Sequence, residues 1–232
     1  MGFLFNIFKA QKQRIAIFGG AFDPPTIGHS IVIETVRHHV DEVWVLPAFN
    51  HFHGKEMTNF LERFAMCEVA FDDLLFYDDY VSLHMQEYTD RNKTDGTAFN
   101  LLQNLDAKYG AQNVEFLFVI GQDNADEIKT WKNYEELINR FKFIIIPRIY
   151  DHEKVNELHW YHNDPHIFLK ELSHTNGISS TKARQLIKEY YNVKSNKDWD
   201  VEHLNHIKMQ LTKYIDSQLM EYIFTHEIYK DL

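Results

Sequence analysis

The stretch R-I-A-I-F-G-G-A-F-D-P-P-T-I-G-H, residues 14–29, decides the fold class of this 232-residue chain. Its first five residues predict a buried strand, and the pair Gly19-Gly20 lets the chain turn sharply and lets a ligand approach the backbone. A helix is predicted to begin near Thr26, with its free N–H groups and positive dipole end beside the turn. Thr26 and His29 share one face of the first helical turn. The segment therefore predicts a site for an anionic group at the end of a strand.

Strand-like runs alternate with helix-like runs along the chain, which is typical of a parallel α/β sheet. The predicted strands are 14–18, 42–46, 81–85, 114–120 and 142–147, with a shorter sixth candidate at 167–172. The predicted helices are 27–39, 59–73, 98–109, 133–140, 180–191 and most of 201–224, with a polar break at 192–200 and a long loop at 150–165. We therefore expect an α/β protein with a Rossmann-like, doubly wound, mostly parallel sheet of five to six strands and a helical C-terminal end.

A second motif, I-S-S-T-K-A-R at residues 178–184, begins another predicted helix. Its hydroxyl residues are capable N-caps, and Arg184 lies one turn into the helix, where it can offer a bidentate fork to phosphate oxygens. Taken alone, the motif is better explained as a plain cap with a solvated arginine. Together with the first motif it favours phosphate binding, because two helix ends that face one cleft would hold a triphosphate.

Composition and charge restrict the classes of protein that fit this sequence. Lys and Arg number 24 against 34 Asp and Glu, and this net charge of −10 argues against a non-specific nucleic-acid binder. The single Cys67 excludes an internal disulfide framework and fits a reducing compartment. The apolar residues 2–8 are too few to span a bilayer. We therefore expect a cytoplasmic protein with no nucleic-acid or membrane partner, and we leave a homo-oligomer open.

With both motifs in order, the sequence resembles the nucleotidyltransferase superfamily that carries a (H/T)-x-G-H tetrad. Within it the chain is similar to the nicotinate/nicotinamide mononucleotide adenylyltransferases. The matching segments are 19–24, 26–29 and 178–184, with further similarity at 61–66, 120–123, 130–131, 134–137, 146–148 and 222–229. The resemblance implies that the 5′-phosphate of a pyridine mononucleotide attacks the α-phosphate of ATP, as in NAD biosynthesis, and that Mg-pyrophosphate leaves. Such chemistry needs positioning and charge neutralisation rather than a protein nucleophile.

The resemblance also implies roles for individual residues. The catalytic residues that contact the phosphates would be His29, Thr26 and Arg184, with Lys55 or Lys182 as a helper. The ATP site would comprise Gly19, Gly20, Phe22, Gly28, Gly121, Asp123, Ile178, Ser179, Ser180 and Thr181. The mononucleotide site would comprise Thr97, Trp131, Lys55 and Arg148, with the Trp131 ring stacked on the pyridine. Mg²⁺ is expected to arrive with ATP as substrate, and no metal site made of protein side chains is expected.

The chain departs from the family pattern at two places in the site. Thr26 stands where nicotinate enzymes usually carry His, and the loop at 50–55 keeps only the basic end of a proline-proline-histidine-lysine segment. Pantetheine-phosphate adenylyltransferases carry Thr in the tetrad, so such an enzyme, another nucleotidyltransferase or a non-catalytic nucleotide-binding module stays an alternative. The sequence contains no internal repeat and no domain linker, so we expect residues 14–232 to form one domain. Relative to the family pattern, residues 1–13 are an N-terminal extension and about 192–213 is a helical insertion.

Overall fold

The computed structural model describes residues 12–49, 56–77, 79–92, 95–110, 113–147, 159–170, 172, 177–196 and 200–231, and six strands of these residues form one sheet. The strands are β1 Gln13–Gly20, β2 Glu42–Pro47, β3 Val81–Leu83, β4 Val114–Gly121, β5 Lys142–Ile146 and β6 Ile167–Phe168. Their order is β3-β2-β1-β4-β5-β6, and every neighbouring pair is parallel. The predicted Rossmann-like, doubly wound sheet is confirmed, with all its strands parallel rather than most of them.

Helices connect the strands and form the C-terminal end, as predicted. The α-helices are α1 Ile27–Val36, α2 Phe60–Ala70, α3 Asp72–Tyr77, α4 Gln86–Thr89, α5 Ala98–Tyr109, α6 Gln122–Asp126, α7 Tyr134–Arg140, α8 Ser180–Ser195, α9 Val201–Leu211 and α10 Ser217–Thr225. Single turns of 3-10 helix lie at Ile128–Thr130 and Trp160–His162. No helix of the described residues is long and apolar enough to cross a bilayer.

Three sequence predictions about the helical and loop regions needed correction. The predicted helix 59–73 is two helices, α2 and α3, because the first of them ends at its C-cap Phe71. The helix α8 continues to Ser195, so the polar break begins later than 192. The predicted loop at 150–165 contains the 3-10 turn at Trp160–His162, and its residues 150–158 lie outside the described part of the chain.

The apolar residues form a layer on each face of the sheet. Side chains of β1 alternate between the faces, with Ile15 and Ile17 packed against α5 and α7, and Ala16 and Phe18 packed against α1 and α2. Continuous apolar runs in β4 and β5 fit strands that are covered on both faces. The helices α8, α9 and α10 form a third cluster that includes Met66 of α2, so the C-terminal helices are packed onto the sheet domain.

The expected domain division is only partly within the described residues. Residues 1–11 of the predicted extension lie outside them, and β1 begins at Gln13, one residue before the expected start of the domain. In the segment 192–213, buried Leu204, Ile207 and Leu211 of α9 pack in the cluster formed with α8. Its status as an insertion stays a prediction.

Candidate active site

A cleft with a volume of about 530 Å³ opens at the carboxyl ends of the central strands. Strand order reverses between β1 and β4, and ligands of open α/β sheets bind at such a switch point. The wall of the cleft includes residues that follow β1, β2, β4 and β5, and the first residues of α1, α5 and α8. The topology therefore brings three helix starts to one hollow.

The first helix start is organised around the imidazole of His29. Thr26 is the N-cap of α1, and its backbone N–H donates to His29 Nδ1 at 2.9 Å. The Thr26 hydroxyl lies 2.8 Å from the same nitrogen. Because a backbone N–H can only donate, Nδ1 must present its lone pair, and the proton of the neutral ring belongs on Nε2. Both residues line the cleft, so Thr26 orients an imidazole whose remaining donor is Nε2–H.

The start of α8 lies close to the start of α1 at Gly28. Ser179 is the N-cap of α8, and the four residues Ile178, Ser179, Ser180 and Thr181 line the same cleft as His29. A Cβ added to Gly28 would lie 3.3 Å from the Ile178 side chain, so a glycine at this position permits the close approach. The two motifs are therefore neighbours in space, as the sequence analysis expects.

Arg184 contacts the loop between β1 and α1 rather than the cleft. Its Nη1 donates to the Asp23 carbonyl, its Nη2 lies 3.5 Å from the Thr181 hydroxyl, and it is not among the residues that line the cleft. The exposed Lys182 does not line the cleft either. In this structure Arg184 holds the loop between β1 and α1, and its contact with a phosphate stays a prediction.

The other predicted nucleotide-binding residues divide into two groups. Gly19, Gly20 and Gly121 line the cleft. Phe22 does not line it, because its side chain is 1% exposed, and its ring packs edge-on against the His29 imidazole at 5.0 Å. Asp123 is exposed on the first turn of α6 and lies outside the lining.

Two of the four predicted mononucleotide residues lie where α5 and the segment after α6 form the wall of the cleft. Trp131 and Thr97 both line it, whereas Lys55 and Arg148 lie outside the described residues. The Thr97 hydroxyl donates to Asp95 at 2.6 Å, and Asp95 also accepts from Lys132 Nζ at 2.6 Å. Burial opposes ionisation of Asp95, but these hydrogen bonds outweigh it and hold the pKa of Asp95 well below its usual range.

The model of the cytidylyltransferase-like family matches residues 17–186, which include both motifs. A relative from Fusobacterium nucleatum, named probable nicotinate-nucleotide adenylyltransferase, is 30% identical over 182 residues, which cover 76% of this chain and 88% of the relative. The chain belongs to the cytidylyltransferase-like family, among the nicotinate-nucleotide adenylyltransferases. The resemblance inferred from the motifs is thereby confirmed.

Further relatives of this family member agree with that assignment. A protein of the same name from Acholeplasma laidlawii is 30% identical over 137 residues, which cover 58% of this chain and 67% of the relative. Among solved structures, the Plasmodium falciparum nicotinic acid mononucleotide adenylyltransferase complexed with NaAD matches with a TM-score of 0.67 at 24% identity, covering 94% of this chain and 97% of that chain. Its complex with APC matches equally well. At this identity the structural likeness shows the fold.

Two charged residues that line the cleft, Lys132 and Glu87, were not predicted from the sequence. Lys132 directly follows Trp131 in a segment that resembles the family, and this position was a signal that could have identified it. Glu87 lies on the single-turn helix α4, for which the sequence gives no periodic signal. Its Oε2 accepts the Phe49 N–H at 2.9 Å, and burial raises the pKa of Glu87 to about 7.

The described residues of this family member contain no group of three His, Cys, Asp or Glu side chains arranged to hold a metal ion. Mg²⁺ prefers few protein ligands and the oxygens of nucleotide phosphates. The arrival of Mg²⁺ bound to ATP, as part of the substrate, stays a prediction. Cys67 is buried in α2, so it is part of the core, as predicted from the sequence. This burial raises the pKa of its thiol.

Proposed function

We propose that this chain joins the adenylyl group of ATP to nicotinate mononucleotide, giving the dinucleotide and pyrophosphate. The observation that carries the proposal is the convergence of the α1 and α8 starts on a single cleft that also contains Trp131. Two helix N-termini provide backbone N–H groups and positive dipole ends for a chain of phosphates. An indole provides a flat surface for an aromatic ring. The names of the relatives from Fusobacterium and Acholeplasma support the same activity.

The mechanism requires this chain to orient two substrates and to neutralise charge. The mononucleotide phosphate oxygen forms a bond to the α-phosphorus of ATP while the bond to the pyrophosphate oxygen breaks. The attacking phosphate is already ionised, so no side chain has to remove a proton from it. His29 donates Nε2–H to the phosphate oxygens, and the free amides of both helix starts add further donors aimed at the developing charge.

Thr26 has a supporting function in this scheme. In place of a second imidazole, its backbone N–H and hydroxyl both lie against His29 Nδ1, which fixes the ring and its tautomer. The charge that a second histidine could supply is absent from this position. The backbone amides and a cation close to the cleft, such as Lys132, would compensate for it.

The two substrates occupy opposite ends of the cleft in this proposal. Nicotinate mononucleotide lies at the end that contains Trp131, Thr97 and Lys132, with its ring on the indole. ATP lies along Gly19, Gly20 and the α8 start, with Mg²⁺ bound to its phosphates. Arg184 would reach a phosphate only after leaving the Asp23 carbonyl, and its predicted role depends on that rearrangement.

A pantetheine-phosphate adenylyltransferase is the second candidate, and the specific observation that favours it is Thr26 in the tetrad. Both candidates are tested by one experiment, in which the protein is incubated with Mg-ATP and one acceptor at a time. The acceptors are nicotinate mononucleotide, nicotinamide mononucleotide and phosphopantetheine, and released pyrophosphate is measured. We expect the highest kcat/KM with nicotinate mononucleotide. Release with phosphopantetheine alone, or ATP binding without release for every acceptor, would contradict the proposal.

A further inference from the structure

The loop between β1 and α1, together with the first residue of α1, is hydrogen-bonded to the C-terminal part of the chain at four points. Two of these hydrogen bonds come from α8, where Arg184 donates to the Asp23 carbonyl and Ser180 Oγ donates to the Pro24 carbonyl at 2.8 Å. The other two come from the chain after α9, which the proposed function does not use. There the Tyr214 carbonyl accepts the Ile27 N–H at 2.9 Å, and the Tyr229 hydroxyl donates to Asp23 Oδ1 at 2.7 Å.

The contact between Tyr229 and Asp23 is buried and geometrically constrained. Asp23 is 3% exposed and Tyr229 is 6% exposed, although the two residues are 206 positions apart. Tyr229 has a φ of 69°, a left-handed conformation that a bulky residue rarely adopts unless its surroundings hold it there. Burial, together with the neighbouring Asp23 carboxylate, raises the pKa of Tyr229, so the hydroxyl keeps the proton that it donates.

Residues beneath the loop complete the support for this contact. The Thr58 N–H donates to Asp23 Oδ2 at 3.3 Å, so each carboxylate oxygen has a donor. Arg63, which is 1% exposed, donates to the carbonyls of Ala21, Ala48 and Thr58 at 2.7 to 2.8 Å. Hydrogen bonds from Thr58, Arg63 and Tyr229 therefore hold the loop in place, and of these three residues only Tyr229 follows α10.

We propose that Tyr229 is a positioning residue for the adenylyl transfer, which holds the Asp23 carboxylate and through it the loop that presents Thr26 and His29 to the phosphates. The inference rests on the proposed function. Asp23 is three residues before Thr26, so a shift of the loop moves the α1 start directly. Without the Tyr229 hydroxyl, Asp23 Oδ1 would lose a buried donor, and reaction rates are sensitive to small displacements of catalytic groups.

The kinetic test compares Tyr229→Phe with Tyr191→Phe, and each change removes one buried hydroxyl. Tyr191 is 8% exposed and donates to the Ile223 carbonyl at 3.2 Å, within the C-terminal cluster and away from the loop. We expect Tyr229→Phe to lower kcat about tenfold or more, with KM values within about threefold, and Tyr191→Phe to keep kcat. Equal kcat in the two variants at a similar loss of Tm would overturn the proposal.

A second measurement does not depend on catalysis. Amide hydrogen exchange at residues 22–29 should be faster in Tyr229→Phe than in the wild type, and unchanged in Tyr191→Phe. Equal exchange of these amides in the two variants would contradict the role of Tyr229. A wild-type protein that is inactive with every acceptor would instead contradict the proposed function, so the two failures are distinguishable.

A double-mutant cycle covers the case in which Tyr229→Phe is too unstable for kinetics. Asp23→Asn keeps the shape of the side chain, and its effect on loop exchange is compared with and without Tyr229→Phe. We expect the double variant to resemble the worse single variant, because both changes break the same contact. Fully additive effects would show that Tyr229 acts elsewhere and would overturn the proposal.

Discussion

At the scale of the residue, two neighbouring residues fix the orientation of the His29 side chain. Its Nδ1 accepts from the Thr26 N–H, and the buried Phe22 ring packs edge-on against the imidazole at 5.0 Å. The tetrad in the sequence predicts the imidazole at a helix start. The role of Phe22 as a support could not be predicted, because the sequence does not show whether an aromatic ring before a helix points into a cleft or beneath it.

Replacement of His29 by Ala tests the donor that this residue offers to phosphate. We expect kcat to fall by about 10²–10³, which is typical for the loss of one preorganised donor, with a smaller change in KM. His38→Ala, at an exposed position after the end of α1, is the matched control and should keep wild-type kcat. A rate in His29→Ala equal to that of the control would remove His29 from the site.

Replacement of Trp131 by Ala tests the stacking surface for the pyridine ring. Base–aromatic stacking is worth roughly 1–3 kcal/mol, so we expect KM for the mononucleotide to rise by about 5- to 150-fold, with a smaller rise for ATP. Trp131→Phe keeps a flat ring and should recover part of the affinity. An equal rise of KM for both substrates would show that Trp131 supports the cleft in general rather than the pyridine ring.

At the scale of the element, the helix starts decide the site, and regular patterns predicted the longer elements well. The sequence predicts a helix at 98–109, and α5 is Ala98–Tyr109. The helices α3, α4 and α6 have six, four and five residues, which is too short for a 3.6-residue period to be recognised. Glu87 was missed because it lies on α4.

Gly28→Ala tests the close approach of α1 and α8. The added Cβ would lie 3.3 Å from Ile178, so the start of α8 has to shift by a few tenths of an ångström. Alanine favours the helix by about 1 kcal/mol, and we therefore expect Tm to change little while kcat falls. Combining the change with Ile178→Ala, which removes the contact, should restore part of the rate. Unchanged turnover in Gly28→Ala would show that the spacing of the two helix starts is not critical.

At the scale of the whole molecule, alternation of strands and helices was sufficient to predict the parallel sheet and the place of its cleft. The two motifs converge as expected, because both lie at the cleft that opens at the carboxyl ends of the central strands. The contacts of Arg184 and Tyr229 with Asp23 could not be predicted, since they join residues more than 150 positions apart in the sequence. Such contacts depend on how the C-terminal helices pack on α2.

The pH dependence of stability tests the burial of Glu87, which lies on α4 against the chain after β2. Burial raises the pKa of this carboxyl from its ordinary 4.5 to about 7, although the Phe49 N–H and the Arg63 charge both act in the opposite direction. Between these pH values the folded protein holds a proton that the unfolded chain releases. The stability contributed by Glu87 therefore falls as the pH rises from about 4.5 to about 7.

The corresponding experiment follows the free energy of unfolding between pH 5 and 8 in the wild type and in Glu87→Gln. We expect the free energy of unfolding of the wild type to fall by up to about 3 kcal/mol relative to that of the variant over this range. Screening by water in the cleft reduces this difference. The exposed Glu68→Gln on α2 is the control and should follow the wild-type curve. Parallel curves for the wild type and Glu87→Gln would show that Glu87 does not titrate in this way.

The most direct test of the account is a crystal structure of the protein with Mg²⁺ and a non-hydrolysable ATP analogue. We predict that the phosphates lie between His29 Nε2 and the amides of Ser180 and Thr181, so that both helix starts contact one triphosphate. Phosphates bound outside the cleft, or in contact with the start of α1 while the start of α8 remains apart, would contradict it.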